Sequence, residues 1–130
     1  MQTTLAFDIE TAPDVTGFAQ LHDLDTSALS AAEIAEMALL ARRQTSGSDF
    51  MPLHLHRIIA ISCVLRHSDT GGGDQLKVWS LGEAQSSEAE LIQRFYDGIE
   101  RYTPQLVSWN GGGFDLPVLH YRGLIHGITA

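Results

Sequence analysis

The first strand of the chain is visible as an alternation of apolar and polar positions. In residues 4–11 (TLAFDIET), apolar side chains occupy positions 5, 7 and 9, and Asp8 and Glu10 stand on the alternate positions. A period of two sends successive side chains to opposite faces of a strand. The pattern therefore predicts a strand that buries one face and carries both acids on the other.

Three further segments have the length and composition of strands. Residues 56–66 (HRIIAISCVLR) are rich in β-branched side chains, and residues 75–81 (QLKVWSL) follow after the glycine-rich residues 70–74, which indicates a hairpin. Residues 105–109 (QLVSW) form a short apolar run that ends at an asparagine and three glycines. Together with the first segment, they predict four strands.

Apolar residues at helical spacing predict three helices, over residues 30–43, 87–102 and 116–123. Each of the first two begins with a serine that is followed three residues later by glutamate, which is the signature of a capping box. The third has Pro117 in its first turn, where proline is tolerated. The element order β, α, β, β, α, β, α predicts an α/β fold in which the first helix is an insertion.

Composition and terminal sequence indicate the class of domain and its cellular compartment. The 130 residues are 44 % apolar and 18 % charged, which suits one globular domain. No apolar run is long enough to cross a bilayer and the N-terminus lacks a signal-peptide pattern, so we expect a cytoplasmic protein with no membrane partner. The single cysteine, Cys63, lies in an apolar run, and we interpret it as a core residue.

Asp8 and Glu10 are the first candidate metal ligands. Two residues apart on a strand, they leave the same face with Cα atoms roughly 6–7 Å apart, so both carboxylates can reach one cation. Two acids on a buried central strand are costly unless they are neutralised, and oxygen ligands without His or Cys suit Mg²⁺ or Mn²⁺. The alternative is that the strand lies at an edge and the acids are solvated.

Asp115 is the second candidate ligand. It follows the last strand, Asn110 and three glycines, and it directly precedes the last helix. Aspartate at such a position is a natural helix N-cap, and a carboxylate has enough lone pairs to cap a helix and contact a metal-bound water together. Taken alone, the position of Asp115 favours the cap, and the two roles can coexist.

The segments FDIET and WNGGGFD resemble the first two motifs of the DnaQ-like (DEDD, RNase H-like) 3′→5′ exonucleases. They are most similar to stand-alone relatives of the proofreading exonuclease domain of family B DNA polymerases. Asp8 and Glu10 match the Asp-x-Glu of the first motif, and Asn110, Phe114 and Asp115 match the second. The resemblance follows the element order over essentially the whole chain, and it implies an RNase H-like mixed sheet with three antiparallel strands and one parallel strand.

The resemblance also implies two-metal hydrolysis of the terminal phosphodiester of a single strand, taken as DNA, with two Mg²⁺ or Mn²⁺ ions. Asp8 would bridge the ions, Glu10 would bind the ion that activates water, and Asp115 would hold the other ion through water. Thr11 would contact the 3′ end, unless it is an ordinary strand residue.

Two residues of the second motif have competing roles. Asn110 would contact a substrate phosphate or sugar, or equally cap the turn. Phe114 would lie beside a terminal base or pack in the core, and its context favours the core. The formal net charge of −8 argues against a broad grip on nucleic acid. It does not argue against a strand end held at a metal site, because bound cations invert the local field.

The third motif of the family, a Tyr or His followed four residues later by Asp, has no match. Ile125 stands four residues after Tyr121, and the sequence ends at Ala130. We therefore interpret residues 1–130 as the N-terminal portion of a single exonuclease domain, truncated before its last strand and helix. We expect weak metal binding, little nuclease activity by the chain itself, and self-association through an exposed sheet edge.

Two other functions are alternatives to the exonuclease. A non-catalytic nucleic-acid-binding or assembly module is favoured by the missing motif and the acidic charge, whereas the joint presence of the acids disfavours it. A Mg²⁺-dependent phosphate monoester hydrolase would be supported by a P-loop or a basic pocket, and the sequence indicates neither. The motifs do not separate DNA from RNA, because recognition of the 2′-OH leaves no short motif, and they identify no polymerase partner.

Overall fold

The computed structural model describes residues 2–48, 50–68 and 71–128. Its strands are β1 (Gln2–Pro13), β2 (His56–Ser68), β3 (Asp74–Ser80) and β4 (Gln105–Val107). Its α-helices are α1 (Val15–Leu21), α2 (Ala31–Ser46), α3 (Glu88–Tyr102) and α4 (Leu116–Ile125). Short 3-10 turns cover Thr26–Ala28 and Leu53–Leu55, and a π-helical turn covers Gly111–Asp115. The chain divides into a sheet unit, Met1–Thr11 with Ile58–Ala130, and a helical unit, Ala12–Arg57.

The four strands form one sheet in the order β3-β2-β1-β4. β1 and β4 are parallel, with Leu5 opposite Leu106, and β2 and β3 are antiparallel, with Cys63 opposite Trp79. This mixed α/β sheet confirms the predicted fold class. β1 is an interior strand, so the alternative that placed it at an edge is wrong.

The hairpin between β2 and β3 is confirmed by its pairing. The antiparallel register runs from Ser62 opposite Ser80 to Ser68 opposite Asp74. Asp69 and Thr70, at the start of the predicted turn, lie outside the described residues.

The core of the sheet unit lies on one face of β1. Leu5, Phe7 and Ile9 are each only 5 % exposed, as their alternation predicts. The ring of Phe7 lies 4.9 Å from that of Phe95 on α3, centroid to centroid. The most deeply buried large side chains of this unit are Ile58, Ile61, Ile92, Phe95, Val118 and Leu119.

α4 begins where its sequence predicts, and α3 shows the serine half of its predicted capping box. The Ser87 side chain accepts a hydrogen bond from the backbone N–H of Glu90 at the start of α3, and α4 carries Pro117 in its first turn. α4 runs two residues further than predicted, to Ile125. Element boundaries otherwise move by a few residues, as expected when apolar periodicity fades at a helix end.

The helical unit contains more structure than the sequence analysis predicted. The Ser30–Glu33 capping box forms with both of its hydrogen bonds, but α2 extends past position 43 to Ser46 and ends at Gly47, which adopts the left-handed conformation. α1 was not predicted. The buried side chains of this unit are Phe18, Ala19, Ile34, Ala38, Met51 and Leu55.

Within the described part of the chain, every helix is too short or too polar to cross a bilayer.

Candidate active site

The two acid-bearing segments of the sequence meet at the carboxyl end of β1. The backbone N–H of Ile9 donates a hydrogen bond to Oδ2 of Asp115 at 3.3 Å, across 106 positions of sequence. Ile9 lies between Asp8 and Glu10. The parallel pairing of Ala6 with Val107 explains the approach, because the chain leaves β4 at the same end of the sheet where Asp8 and Glu10 lie.

Asp115 is not the N-cap of α4. It has helical backbone angles (φ −58°, ψ −52°), and its side chain makes no capping hydrogen bond. It ends the π-helical turn Gly111–Asp115 instead, and its carboxylate faces β1. The capping role that the sequence favoured is therefore wrong. A π-helical turn inserts an extra residue into the helical spiral and is frequent at functional sites.

The Asp115 carboxyl group is buried, with 3 % of the residue exposed. Burial raises its pKa above the ordinary value, and the negative charge of Asp8 raises it further, whereas the Ile9 N–H bond partly offsets both effects. The repulsion by Asp8 accords with the Ile9 hydrogen bond, which holds the Asp115 carboxylate against β1 beside Asp8. A cation placed there would offset both the free-energy cost of burying the Asp115 charge and its repulsion by Asp8.

Asp8 and Glu10 are exposed to solvent although their strand is interior. The expectation that these acids are buried is wrong, because alternation buries only the face of β1 that carries Phe7 and Ile9. Their exposure removes the desolvation argument for a bound metal. It leaves both carboxylates accessible to a cation and to a substrate.

No three His, Cys, Asp or Glu side chains among the described residues are grouped closely enough to hold a metal ion as they stand. Like-charged carboxylates repel one another without a cation. Asp115 is fixed by burial and its backbone hydrogen bond, whereas Asp8 and Glu10 are exposed side chains that can rotate. The oxygen donors present are of the kind that Mg²⁺ and Mn²⁺ prefer.

Ser108 adds a buried hydroxyl that the sequence analysis did not identify. Its Oγ is the buried side-chain atom without a hydrogen-bond partner in the described structure. It lies close enough to Asp115 to lower the pKa of that carboxyl, without reaching hydrogen-bonding geometry. A Cβ added at Gly111 would come within 2.8 Å of Ser108 Cβ, so only glycine fits there. An unpaired hydroxyl beside a buried carboxylate fits a site that completes its contacts with a ligand.

Asn110 holds the turn through its backbone. It is exposed and left-handed (φ 55°), and its carbonyl oxygen accepts hydrogen bonds from the N–H groups of Gly113 (3.1 Å) and Phe114 (2.9 Å). Its side chain does not cap the turn. A Cβ added at Gly113 would fall 2.5 Å from Asn110 Oδ1, so this glycine lets the amide lie against the backbone.

The other two predicted substrate-side residues border the acids. Phe114 and Thr11 are both half-buried, and they directly neighbour Asp115 and Glu10 in the chain. Phe114 is thus not a fully buried core residue, which was the role that its sequence context favoured.

A buried ion pair that no sequence motif indicates holds the helix that follows Asp115. Nη2 of Arg122 on α4 lies 2.7 Å from Oε1 of Glu88 at the start of α3. The side chains of Arg122 and Glu88 are 3 % and 6 % exposed. His126 Nε2 is also 2.7 Å from Glu88 Oε1, and the N–H of Ile58 donates to Glu88 Oε2 at 2.6 Å. Partners more than 30 residues apart leave no local pattern, so only the fold reveals them.

Comparison with known proteins places the chain in a family. Residues 48–130 match the family model described as a predicted 3′-5′ exonuclease related to the exonuclease domain of PolB. This range contains Asn110, Phe114 and Asp115, and it begins after β1.

DNA polymerase 1 of Sulfurisphaera ohwakuensis is 48 % identical to the chain over 42 residues, which are 32 % of this chain and 5 % of the polymerase. The chain therefore spans a small fraction of the length of that relative. On the strength of the family match over most of its length, the chain belongs to the predicted 3′-5′ exonucleases related to the exonuclease domain of PolB.

Proposed function

We propose that the chain carries out metal-dependent 3′→5′ hydrolysis of the terminal phosphodiesters of single-stranded nucleic acid, with DNA as its substrate. One observation carries the proposal: the buried carboxylate of Asp115 is hydrogen-bonded to β1 between Asp8 and Glu10. Family membership supports the same reaction class.

Asp8, Glu10 and Asp115 are the residues that would hold two Mg²⁺ or Mn²⁺ ions. When bound, the ions would make a water acidic enough to attack near neutral pH and would offset charge on the leaving 3′ oxygen. Asp115 supplies a preorganised carboxylate, because burial and the Ile9 N–H restrict its movement. Asp8 and Glu10 supply mobile carboxylates that can close on a cation from solvent.

The segment Gly111–Asp115 and its neighbours would hold the strand end. Asn110 presents an exposed amide at the end of β4, suited to a phosphate or sugar oxygen. Phe114 would lie beside the terminal base, and Thr11 would contact the 3′ end. Stacking of a base on an aromatic ring contributes about 1–3 kcal/mol, enough to orient one nucleotide.

A digestion assay tests the proposal. A 5′-labelled single-stranded oligodeoxynucleotide, with a free or a blocked 3′ end, is incubated with the 130-residue chain in Mn²⁺ or in a chelator. We expect slow, stepwise shortening from the free 3′ end, in Mn²⁺ only. The variants Asp8→Asn and Asp115→Asn should lower the rate by about 100-fold or more, the scale of losing one preorganised electrostatic contact.

The variant Glu36→Gln is the matched control, because it removes one exposed carboxylate from α2 in the helical unit. It should digest like the wild type. Shortening in the presence of chelator, or undiminished shortening by Asp8→Asn, would contradict the proposed mechanism.

The alternative is a non-catalytic nucleic-acid-binding or assembly module with the same fold. It is favoured by the absence, among the described residues, of three acidic or other ligating side chains grouped closely enough to hold a metal ion. In the same assay this alternative predicts a strand that is bound by the chain but not shortened, with no difference between Mn²⁺ and chelator.

A further inference from the structure

A basic groove lies between the edge strand β3 and α3. Its cavity volume is about 510 Å³, and it is lined by Lys77 and Trp79 of β3 and by Arg94, Asp97, Arg101 and Tyr102 of α3, among others. We call it the β3–α3 groove. Unlike the carboxylate site, it has three cations and two aromatic rings among its lining residues.

The charge of the groove opposes that of the chain. Lys77, Arg94 and Arg101 are three of the eight Lys and Arg residues, and Asp97 is the acid among the lining residues, so the groove carries a formal charge of +2 (three cations less one acid). The chain as a whole carries −8. In the described structure, none of the three cations lies within ion-pair distance of a carboxylate.

Aromatic rings lie beside these cations. Trp79 and Tyr102 are half-buried, and the guanidinium carbon of Arg101 lies 5.1 Å from the centroid of the Tyr102 ring. Rings that are partly buried are held in place and expose one side, which suits stacking with a planar ligand group. Cations that alternate with rings are the pattern by which proteins bind single strands through phosphates and bases together.

Solvated surface charge is the simpler explanation for cations on an edge strand and a helix, since an edge lysine also discourages strand pairing. Lys77, Arg94 and Arg101 are indeed exposed, but the fold gathers all three at one groove. Lys77 and Trp79 pair with Leu65 and Cys63, which are buried, so both face the core side of β3 and point toward α3. Arg94 and Arg101 come from that helix and line the same groove.

We propose that the β3–α3 groove is an accessory binding site for single-stranded nucleic acid, which takes backbone phosphates at Lys77, Arg94 and Arg101 and a base against Trp79 or Tyr102. This inference rests on the proposed function for its substrate class. The groove lies at the β3 edge on the α3 side of the sheet, whereas β1 carries Asp8 and Glu10 on its other face, so the groove is separate from the carboxylate site.

Binding in the presence of chelator isolates the groove from the metal site. The anisotropy of a labelled single-stranded oligodeoxynucleotide is titrated over a salt series, with wild type and with the double variant Lys77→Gln/Arg101→Gln. Each lost phosphate contact should reduce the slope of log K against log salt by about 0.7, so the double variant should lose about 1.4.

The control is the double variant Arg57→Gln/Arg66→Gln, which has the same net charge and changes two exposed residues of β2. It should keep the wild-type slope. Equal slopes for the groove and control variants would overturn the proposal. Competition by inorganic polyphosphate as effective as that by unlabelled oligonucleotide would also overturn it, because stacking would then contribute nothing.

Failure of this inference is distinguishable from failure of the proposed function. Asp8→Asn should lower the digestion rate by about 100-fold or more and leave the salt slope unchanged. If the groove variant binds like the control while metal-dependent digestion persists, the groove assignment falls and the exonuclease stands. If the groove variant has a smaller slope of log K against log salt while no chain digests the strand, the groove assignment is supported and the catalytic proposal is wrong.

Discussion

At the level of single residues, Asp115 combines a cost in stability with a position suited to chemistry. A buried carboxylate next to another acid is unfavourable in the folded state, and its hydrogen bond with the Ile9 backbone compensates only in part. Removing its charge should therefore stabilise the fold and damage the site. That opposition separates a functional carboxylate from a structural one.

The variant Asp115→Asn tests this through pH. Because the folded pKa of Asp115 is raised above 3.8, the folded wild type binds its proton more tightly than the unfolded chain does. Wild-type stability is thus retained below pH 3.8 and lost as the pH rises through the folded pKa. Without metal, we expect urea unfolding to show Asp115→Asn as the more stable chain at neutral pH, with the difference vanishing at low pH. A variant that is less stable at neutral pH would show that the carboxylate is structural.

Cys63 should be chemically silent. It is 2 % exposed, and burial raises the pKa of its thiol from 9.0 to about 11. At mildly alkaline pH, ionisation alone should make its reaction with a disulfide reagent about 100-fold slower in the folded chain than in the unfolded chain. Because it is the single cysteine, absorbance of the released thiolate reports it without ambiguity. Rapid modification of the folded chain would contradict its placement in the core.

At the level of elements, the Glu88–Arg122 pair connects the start of α3 with α4 in the sheet unit. Burial raises the pKa of Glu88, but the hydrogen bonds from Arg122, His126 and Ile58 outweigh it, and the net shift is downward. The pair fixes the helix that directly follows Asp115. It therefore helps to position the segment that carries Asp115.

Breaking this pair should be expensive. Glu88→Gln removes the buried negative charge that faces the guanidinium of Arg122, and we expect a loss of about 3 kcal/mol in the free energy of unfolding. Because the folded pKa of Glu88 lies below 4.5, its contribution is present above that pH and lost as the pH falls through the folded value. The variant should therefore show a flatter acid-unfolding curve.

Glu90→Gln is the control for this experiment, since Glu90 lies in the same first turn of α3 and is exposed. It should lose less than about 1 kcal/mol, the scale of a charge at a helix N-terminus. Equal losses for both variants in urea unfolding would show that the buried pair contributes no more than a surface charge.

Elements with a local signal were predictable, and those set by distant contacts were not. The period of β1 and the serine caps of α2 and α3 are properties of short windows of sequence, and the structure confirms them. α1 has seven residues and two buried side chains, too few for a periodicity to be visible. The partner of β1 on its parallel side is a three-residue strand, which an apolar run alone overestimates in length.

The site was predictable in composition and less so in geometry. Family resemblance identified Asp8, Glu10 and Asp115, but local rules favoured Asp115 as a cap, because a sequence pattern does not show a π-helical turn. The unpaired hydroxyl of Ser108 depends on packing against Gly111, and no residue type announces such a contact.

At the level of the whole molecule, an exposed edge strand favours self-association, whereas the net charge opposes it. β4 is an edge strand, Val107 is 49 % exposed and Trp109 is 93 % exposed, whereas the net charge of −8 keeps copies apart. We expect self-association that grows with concentration and with salt, because salt screens the repulsion. Val107→Lys should reduce it by placing a charge on the edge. Sedimentation velocity showing one monomeric species at all concentrations and salts would contradict this expectation.

The most direct test of the central claim is metal-induced stabilisation. Melting is measured with and without Mn²⁺ for the wild type, Asp8→Asn, Asp115→Asn and the control Glu36→Gln. A ligand at 100 times its dissociation constant stabilises the folded state by about 2.7 kcal/mol, so even weak binding gives a measurable rise in Tm. We predict that Mn²⁺ raises the Tm of the wild type and the control and that the rise is lost in both site variants. An equal rise in all four chains, or none in the wild type, would show that Asp8 and Asp115 do not share a cation.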